Sequence, residues 1–298
     1  MSLGSAVLAL LVSLALMSAG SLFLLEETRL AENAVVETRA SGAAELGIGE
    51  VLETWNDGRD ALHPYPPFAR PLGGGLFLVD VTGTAAGTGR WPGGHSRVGL
   101  LVRLAPPAFP AAALVSAGRV TLSPGASIEG PIDSGASGAG LTGELDLGQV
   151  ASMAGVTLAG GTYTPGPSTA GGNCQSGDPL NWGVADGRGA CGQYLPVVHI
   201  QGDADLNGGE GAGVILVDGD LLVRGAFSFR GVVLARGALV VSGSGPSRSH
   251  LYGSVVTFIE ATGDSSMWIT YGKSIVDSVL WQFGRPEKLG SRSWTKLF

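Results

Sequence analysis

Six glycines stand at intervals of six residues and divide one stretch of the chain into five hexads: Gly213, Gly219, Gly225, Gly231, Gly237 and Gly243. The second and fourth residues of each hexad are apolar, and the fifth never is. Because alternate residues of a strand face the same side, the second and fourth face a core and the fifth faces water. Glycine suits the corner that closes each hexad. The pattern predicts a parallel β-solenoid in which three hexads make one coil of 18 residues.

Weaker hexads of the same kind occur at residues 113–130 and 197–208. A long insertion, residues 135–195, separates these two segments. A solenoid end exposes strand edges and core side chains, so a cap is expected there. We therefore expect a solenoid over residues 113–298, with residues 274–284 forming a helix or strand that caps its open end.

Composition excludes several classes of function. The 298-residue chain has a net charge of −7 and no basic patch, which argues against nucleic-acid binding. The four histidines have no metal-ligand spacing with each other or with the cysteines. No glycine-rich phosphate loop stands between a strand and a helix. We expect no catalytic residues, no metal and no cofactor, and hence no enzyme.

The two cysteines, Cys174 and Cys191, flank a stretch rich in glycine, aspartate and asparagine that cannot hold itself by core packing. A disulfide between them would stabilise the fold by about 3 kcal/mol in the loop-entropy description. Two free thiols in a cytosolic protein are the alternative. Because the N-terminal segment argues for export, we predict the disulfide.

The N-terminal segment from Ser2 to Leu25 carries no charged residue. As a helix it would be about 36 Å long, enough to cross a bilayer. A cleaved secretory signal would have a shorter apolar region and a basic start. We favour a retained membrane anchor over a cleaved signal.

Beyond Leu25 the sequence contains no proline as far as His63, and apolar residues keep a helical spacing to Trp55. One helix over residues 5–57, lipid-soluble to about residue 25 and amphipathic after it, is the simplest interpretation. A membrane anchor followed by a separate helix is the alternative. In the next region, residues 58–112, two strands at 76–83 and 96–105 form a hairpin that we expect to pack on the helix. The predicted fold class is therefore α+β, mainly β.

Several features of residues 1–55 are similar to those of type IV pilin-like proteins. Gly4 stands directly before the apolar run, in the string Gly4-Ser5-Ala6-Val7-Leu8. The polar continuation EETRLAENAV follows the apolar run, and Ala44-Glu45-Leu46-Gly47 is similar to an Ala-Glu-Ala-Gly motif of that family. A long N-terminal helix before a glycine-rich β domain also resembles the family, and within it the PilX-type minor pilins.

The resemblance implies a leader, residues 1–4, that a prepilin peptidase removes between Gly4 and Ser5. It implies as partners other pilin-like subunits, which contact the N-terminal helix, and the inner-membrane assembly platform. It places the C-terminal domain in the periplasm or on an extracellular filament. Two features depart from the family: Ala9 stands where most pilins have glutamate at the fifth mature position, and the leader has no basic residue. The first departure favours a minor or tip subunit of a pilus or pseudopilus.

Two pairs of charged residues recur at equivalent hexad positions. Asp203 and Asp220 hold the first position and would stack about 4.8 Å apart, as in a calcium or glycoside-hydrolysis site. Aspartate is also a common turn residue, and we favour that structural role. Asp218 and Arg236 share the fifth position on neighbouring coils and predict a surface ion pair.

The third position should face outward, yet in four of the five hexads it is apolar: Leu216, Leu222, Leu234 and Val240. An apolar row on an outer face needs a cover. We keep two covers open, an interface with another subunit and packing within the chain.

Two functions from different classes remain. The first is a non-enzymatic, pilin-like structural subunit that assembles through its N-terminal helix. The second is a membrane-anchored β-solenoid that binds or cleaves extracellular polysaccharide, with Trp91, Trp182 or Trp268 as candidate sugar contacts. The state of the mature N-terminus discriminates between them.

Overall fold

A computed structural model describes residues 3–55, 65–73, 75–87, 93–243, 248–290 and 294–297. The chain divides into two compact units. The first comprises Met1–Thr54, Pro67–Arg103 and Lys288–Phe298, and the second comprises Trp55–Pro66 and Leu104–Glu287.

The first unit begins with helix α1 (Leu3–Glu53), which is continuous over 51 residues. The predicted single helix is confirmed, although it ends at Glu53 and not at the expected residue 57. Alanine, leucine and glutamate are abundant in its sequence and favour the helical backbone. Three glycines at positions 42, 47 and 49 do not interrupt it.

Three antiparallel strands come after α1 in the first unit: β1 (Ala69–Gly73), β2 (Leu76–Ala85) and β3 (Gly94–Ala105). Strands β2 and β3 pair from Leu76 opposite Arg103 to Ala85 opposite Gly94, which confirms the predicted hairpin. Strand β1 pairs with the other edge of β2.

The C-terminal half of α1 packs on this hairpin. Small or branched side chains on one face of the helix form its buried stripe: Val36, Ala40, Ala44 and Ile48. Helix and sheet approach so closely that a Cβ atom at Gly83 would lie 2.1 Å from the carbonyl oxygen of Ala40. Glycine is therefore required at this contact. The Ser41 and Ser96 hydroxyls also lie 3.2 Å apart across it.

The second unit contains most of the strands. Before the disulfide-bonded insertion they are β4 (Leu114–Ser116), β5 (Val120–Leu122), β6 (Ser127–Glu129) and β7 (Ile132–Ser134). Two short helices and three strands lie within residues 135–195: α2 (Ala139–Thr142), α3 (Leu147–Ser152), β8 (Val156–Tyr163), β9 (Thr169–Ala170) and β10 (Asn173–Cys174).

The remaining strands of this unit cover the regular hexads and the segment C-terminal to them: β11 (Val197–Val217), β12 (Leu221–Ala235), β13 (Leu239–Ser242), β14 (Ser249–Thr257), β15 (Ala261–Gly263) and β16 (Met267–Tyr271). Helix α4 (Lys273–Leu280) and a 3₁₀ turn (Trp281–Phe283) come next.

Eleven of these strands form one curled parallel sheet, a half-barrel. Ile215 lies opposite Val233, and Leu221 lies opposite Leu239, so neighbouring strands are offset by the predicted three hexads. Val233 lies opposite Val255, a longer offset that spans the point where the hexad phase is lost. The parallel register explains why the same hexad position faces the same side on neighbouring strands. The predicted strands and their register are present, and the complete solenoid stays a prediction.

The inner side of the sheet holds the main core. All the second-position and fourth-position hexad residues are buried there: Ile215, Val217, Leu221, Val223, Phe227, Phe229, Val233, Ala235, Leu239 and Val241. The predicted inward face of the hexads is confirmed.

The order of the strands in the sheet differs from their order in the chain, because the early hexads pair with the last strands of the sheet. Leu114 lies opposite Val255, Val120 opposite Ala261, and Ile128 opposite Ile269. The segment β4–β7 therefore extends the sheet beyond its last strands, β14–β16. Hexads with the same inward pattern can stack on one another in more than one order, so the hexad pattern alone does not predict this arrangement.

A second core lies between the outer side of the sheet and the helices of this unit. Val276, Val279 and Leu280 of α4 pack there with Leu216 and Leu234 of the sheet. Residues 274–284, expected to cap the end of the sheet, thus form a helix and turn that cover its side. The amphipathic spacing of α4 accounts for this position, because its apolar stripe needs an apolar partner along its whole length.

Two short strands complete the chain. Strand β17 (Arg285–Lys288) includes the point where the chain passes from the second unit to the first. Strand β18 (Trp294–Leu297) pairs antiparallel with β3, with Trp294 opposite Leu100. An ion pair between Lys296 and Glu37 ties β18 to α1.

Candidate functional site

The exposed N-terminal half of α1 is the strongest candidate for a functional surface. Its large apolar side chains between positions 10 and 25 are 52–76% exposed: Leu10, Leu11, Val12, Leu14, Leu16, Met17, Leu22, Phe23, Leu24 and Leu25. A contiguous apolar surface of this size marks a contact with a membrane or with another protein.

Helix α1 is the one helix of the described chain that is long and apolar enough to cross a membrane. Acidic and basic residues begin at Glu26, and packing against the hairpin begins at Val36. The helix therefore has an apolar half with exposed side chains and a polar half held by the sheet. Length and composition fit a membrane anchor.

The predicted processing site lies in the first turns of α1. Gly4 and Ser5 come directly after Leu3, where the helix begins. The side chains of residues 3–9 lie outside the described part of the chain. Cleavage between Gly4 and Ser5 stays a prediction.

The predicted disulfide is present between Cys174 and Cys191, whose Cα atoms are 4.9 Å apart. Beside it the side chain of Asn181, which is fully buried, donates to the carbonyl oxygen of Gln175 at 2.8 Å. The Oδ1 atom of Asn181 accepts from the backbone N–H of Gly183 at 3.1 Å. These bonds replace the core packing that the glycine-rich sequence lacks.

The insertion covers one rim of the curled sheet. Backbone N–H groups of β11 donate to its carbonyl oxygens: Glu210 to Pro165 at 2.9 Å, Ala212 to Trp182 at 2.7 Å. The Trp182 ring is fully buried against the main core. Residues 165–196 thus supply both hydrogen-bond partners and an apolar cover for this part of β11.

The two stacked aspartates lie at corners of the sheet: Asp203 stands at a shift of register within β11, and Asp220 stands between β11 and β12. Asp203 Oδ1 accepts from the backbone N–H of Asp220 at 2.8 Å, and Asp220 Oδ1 accepts from the N–H of Ala238 at 2.7 Å. Each carboxylate therefore caps the corner of the neighbouring strand, the kind of contact for which aspartate is common in turns. The two aspartates line a shallow pocket of about 490 Å³ with Thr162 and Leu222.

No group of three or more His, Cys, Asp or Glu side chains that could hold a metal ion occurs among the described residues. The corner hydrogen bonds account for Asp203 and Asp220 without a cation. The arrangement supports the structural role that aspartate has in turns.

The predicted ion pair between Asp218 and Arg236 is present, with Oδ1 and Nη1 3.5 Å apart. Sequence reasoning missed its third member. His199, whose side chain is nearly buried, lies near the start of β11, and its Nε2 atom is 2.8 Å from Oδ2 of Asp218, the residue directly after that strand. His199 belongs to the hexad VVHIQG and lies about three hexads before Asp218. This spacing places the two residues on neighbouring coils, so the repeat itself could have predicted the contact.

The four apolar third-position residues do not form one surface. Leu216 and Leu234 are fully buried in the second core, beneath α4. Leu222 is half-buried, and Val240, which lies opposite it, is 36% exposed. Successive hexads lie at different positions around the curl of the sheet. The pair Leu216 and Leu234 is therefore separated from the pair Leu222 and Val240.

The tryptophans named as sugar contacts lie in different settings. Trp182 is buried and donates Nε1–H to the Pro179 carbonyl oxygen at 3.1 Å, so it offers no open ring. Trp268 stacks on His250 with ring centroids 4.3 Å apart, and His250 contacts Tyr252 in turn. Trp91 lies outside the described residues.

Two titratable groups of the second unit, His250 and Asp264, have shifted pKa values. Burial lowers the pKa of His250, and the nearby Glu129 carboxylate opposes that effect only in part. Burial alone would raise the pKa of Asp264, but hydrogen bonds from the Ser266 hydroxyl and from the N–H groups of Gly243 and Ser266 outweigh it and lower that pKa. Asp264 thus holds the corner between β15 and β16.

Comparison of the chain with protein-family models, with curated proteins and with solved structures finds no match.

Proposed function

We propose that this protein is a non-enzymatic, pilin-like structural subunit of a type IV pilus or a type II secretion pseudopilus, in a minor or tip position. The observation that carries the proposal is the division of α1 into a bare apolar half and a half packed on an antiparallel sheet. In this proposal the apolar half of α1 lies in a bilayer before assembly and against neighbouring helices afterwards, since either environment covers its exposed apolar side chains.

In this proposal a prepilin peptidase cleaves between Gly4 and Ser5, and the assembly platform of the inner membrane extracts the mature helix. Ala9 cannot supply the carboxylate that pairs with a terminal amine in most pilins. A subunit without that carboxylate fits a tip or initiating position better than repeated incorporation along a shaft.

The proposal includes a complete β-solenoid for the displayed domain. Its support is the parallel register, in which neighbouring strands are offset by three hexads or slightly more, together with corners that recur once per hexad. The domain would stand in the periplasm or on the filament, where the oxidising environment maintains the Cys174–Cys191 disulfide.

The test is mass spectrometry of the protein isolated from membranes of a host with a prepilin peptidase. We expect a mature chain that begins at Ser5, and a Gly4→Val variant that stays uncleaved. The matched control is Gly20→Val, where a new side chain meets no atom within 4 Å and cleavage should continue. A chain that begins at Met1 or near Ser21 in the wild type contradicts the proposal and favours the membrane-anchored polysaccharide-binding alternative.

A further inference from the structure

The two rims of the curled sheet differ. At one rim, segments of the insertion supply hydrogen-bond partners for β11. At the other rim, three short strands each end a column of paired strands: β5 pairs with β15, β6 with β16, and β7 with β4. Among the described strands, none pairs with the outer edges of these three. We call residues 119–134 the open rim.

The open rim exposes core side chains as well as strand edges. Val120 and Ile128 stack on buried core residues of the next strands but are themselves partly exposed. Leu122 is 38% exposed and Ile132 is 44% exposed. An uncovered rim with apolar residues and unpaired backbone groups is a template for further strand pairing.

The heights of the three strands restrict how a second copy could add to this rim. Strand β7 stands one level beyond β4, because Ile132 pairs with Leu114 on the side away from Val255. If β7 of a second copy, related by a two-fold axis, paired with β7 of the first copy, the strands β5 and β6 would have no strand to pair with. All three strands of the rim have a partner only when β7 of each copy pairs with β5 of the other copy, and the two β6 strands pair with each other.

The side chains are complementary in this arrangement. An antiparallel pairing of β5 with β7 places Leu122 opposite Ile132, so that two of the exposed apolar side chains of the rim cover each other. The same register places the outward Thr121 opposite the outward Asp133, as a hydroxyl donor beside a carboxylate acceptor. Cross-strand pairs of both kinds stabilise a sheet.

The β6 strands are complementary to each other about the axis. Their antiparallel pairing places Ile128 opposite its own copy, which extends the inward row that contains Leu251 and Ile269. Ser127 then lies opposite Glu129 of the other copy, and this pair of hydroxyl and carboxylate occurs twice. Like charges do not face each other in any of the three strand pairs.

We propose that the open rim is a dimer interface, in which β5 of each copy pairs with β7 of the other and the two β6 strands pair about a two-fold axis. In an isologous interface both copies use the same surface. The interface therefore covers the open rim of both copies, so this contact produces a dimer and no larger assembly.

The interface uses residues 119–134 and not α1, so the inference is independent of the proposed filament assembly. Association through the apolar half of α1 would not respond to charges at the open rim. The two kinds of contact can therefore be separated by mutation of the rim alone.

The first test measures the dimer dissociation constant of the full chain in detergent micelles by sedimentation equilibrium. Thr121→Asp places a carboxylate opposite Asp133 twice and should weaken the dimer at least about tenfold. The exchange variant Thr121→Asp/Asp133→Thr should restore the wild-type constant to within about threefold. The matched control, Thr157→Asp, changes an exposed threonine of β8 and should leave the constant unchanged.

The second test uses cysteines at a pair that meets only between copies. The double variant Thr121→Cys/Asp133→Cys should form a covalent dimer under mild oxidation, and each single variant should not. Within the chain Thr121 pairs with Thr262 and Asp133 pairs with Val115, so the two cysteines lie on different columns of strands.

The proposal is overturned by a monomeric wild type at concentrations where the detergent-solubilised chain is folded. A dimer that responds equally to Thr121→Asp and Thr157→Asp, or that the exchange variant does not restore, overturns it as well. So does a double-cysteine variant that remains monomeric on denaturing gels after oxidation.

Discussion

At the scale of single residues, the glycines of the parallel sheet occupy two kinds of corner. Gly213, Gly231 and Gly253 lie opposite one another on neighbouring strands, with φ angles of 109°, 150° and 133°. At Gly219 and Gly237 the φ angle is ordinary, but an added Cβ would lie 2.1 Å and 2.2 Å from the side chains of the two corner aspartates. The first kind needs glycine for its backbone, and the second needs it to admit a capping side chain.

The central glycine of the first stack is the most sensitive. A Cβ at Gly231 would lie 1.9 Å from the carbonyl oxygen of Gly213, in a backbone conformation that disfavours side chains. We expect Gly231→Ala to lower the free energy of unfolding by about 2–4 kcal/mol, measured by denaturant unfolding followed by tryptophan fluorescence. Gly155→Ala, which meets no atom within 4 Å, is the control and should change it by less than about 0.5 kcal/mol. Equal effects of the two changes would show that the stack of glycines is not required.

At the scale of secondary-structure elements, the sequence predicts the strands that have a repeated pattern and the helix that contains no proline. A helix through residues 5–57 is expected from the absence of proline and from helical spacing, slightly longer than the observed α1, and the hexads identify the buried positions of β11–β13. The side on which α4 packs cannot be predicted, because a short amphipathic helix specifies an apolar partner and not which one. The docking of β4–β7 on β14–β16 cannot be predicted either, since every hexad offers the same inward pattern.

Helix α4 explains the different settings of two leucines that hold the same hexad position. Leu234 is fully buried beneath α4, whereas Leu222 is half-buried and lies outside that core. We expect Leu234→Ser to lower the free energy of unfolding by about 3–4 kcal/mol, because it leaves both a cavity and an unpaired hydroxyl. Leu222→Ser should lower it by about 1 kcal/mol or less.

Thermal unfolding followed by far-ultraviolet circular dichroism compares the two leucine variants directly. If Leu222→Ser unfolds as easily as Leu234→Ser, the cover provided by α4 is not the cause of the difference. If Leu222→Ser leaves stability unchanged but alters the mass of the assembly, that leucine contributes to a contact between subunits.

At the scale of the whole molecule, the chain combines a unit built on α1 with a unit built on a curled parallel sheet. The candidate functional surface, the bare half of α1, could be predicted almost completely from the sequence, because an uncharged run of this length has few physical interpretations. The open rim could not, since it arises from the order in which distant segments stack. The cover that Trp182 gives to the other rim depends on the same long-range order.

The disulfide holds the insertion over its rim. The double variant Cys174→Ser/Cys191→Ser should lose about 3 kcal/mol of local stability and open residues 175–190 to proteolysis. Limited proteolysis with mass spectrometry measures the cleavage rate, and reduction of the wild type should reproduce the variant's pattern. Unchanged resistance in both cases would mean that Asn181 and Trp182 hold the insertion without the bridge.

The docking of β4–β7 on β14–β16 has a consequence for how the protein is made. The early strands leave the ribosome, and in the proposed topology cross the membrane, long before the strands that complete them. Contacts this distant along the chain slow folding, because a long loop must close before any pairing stabilises it. If the domain is exported as proposed, residues 114–134 remain unpaired and prone to aggregation until residue 271 has emerged, and a periplasmic chaperone that binds extended chains would bind them at that stage.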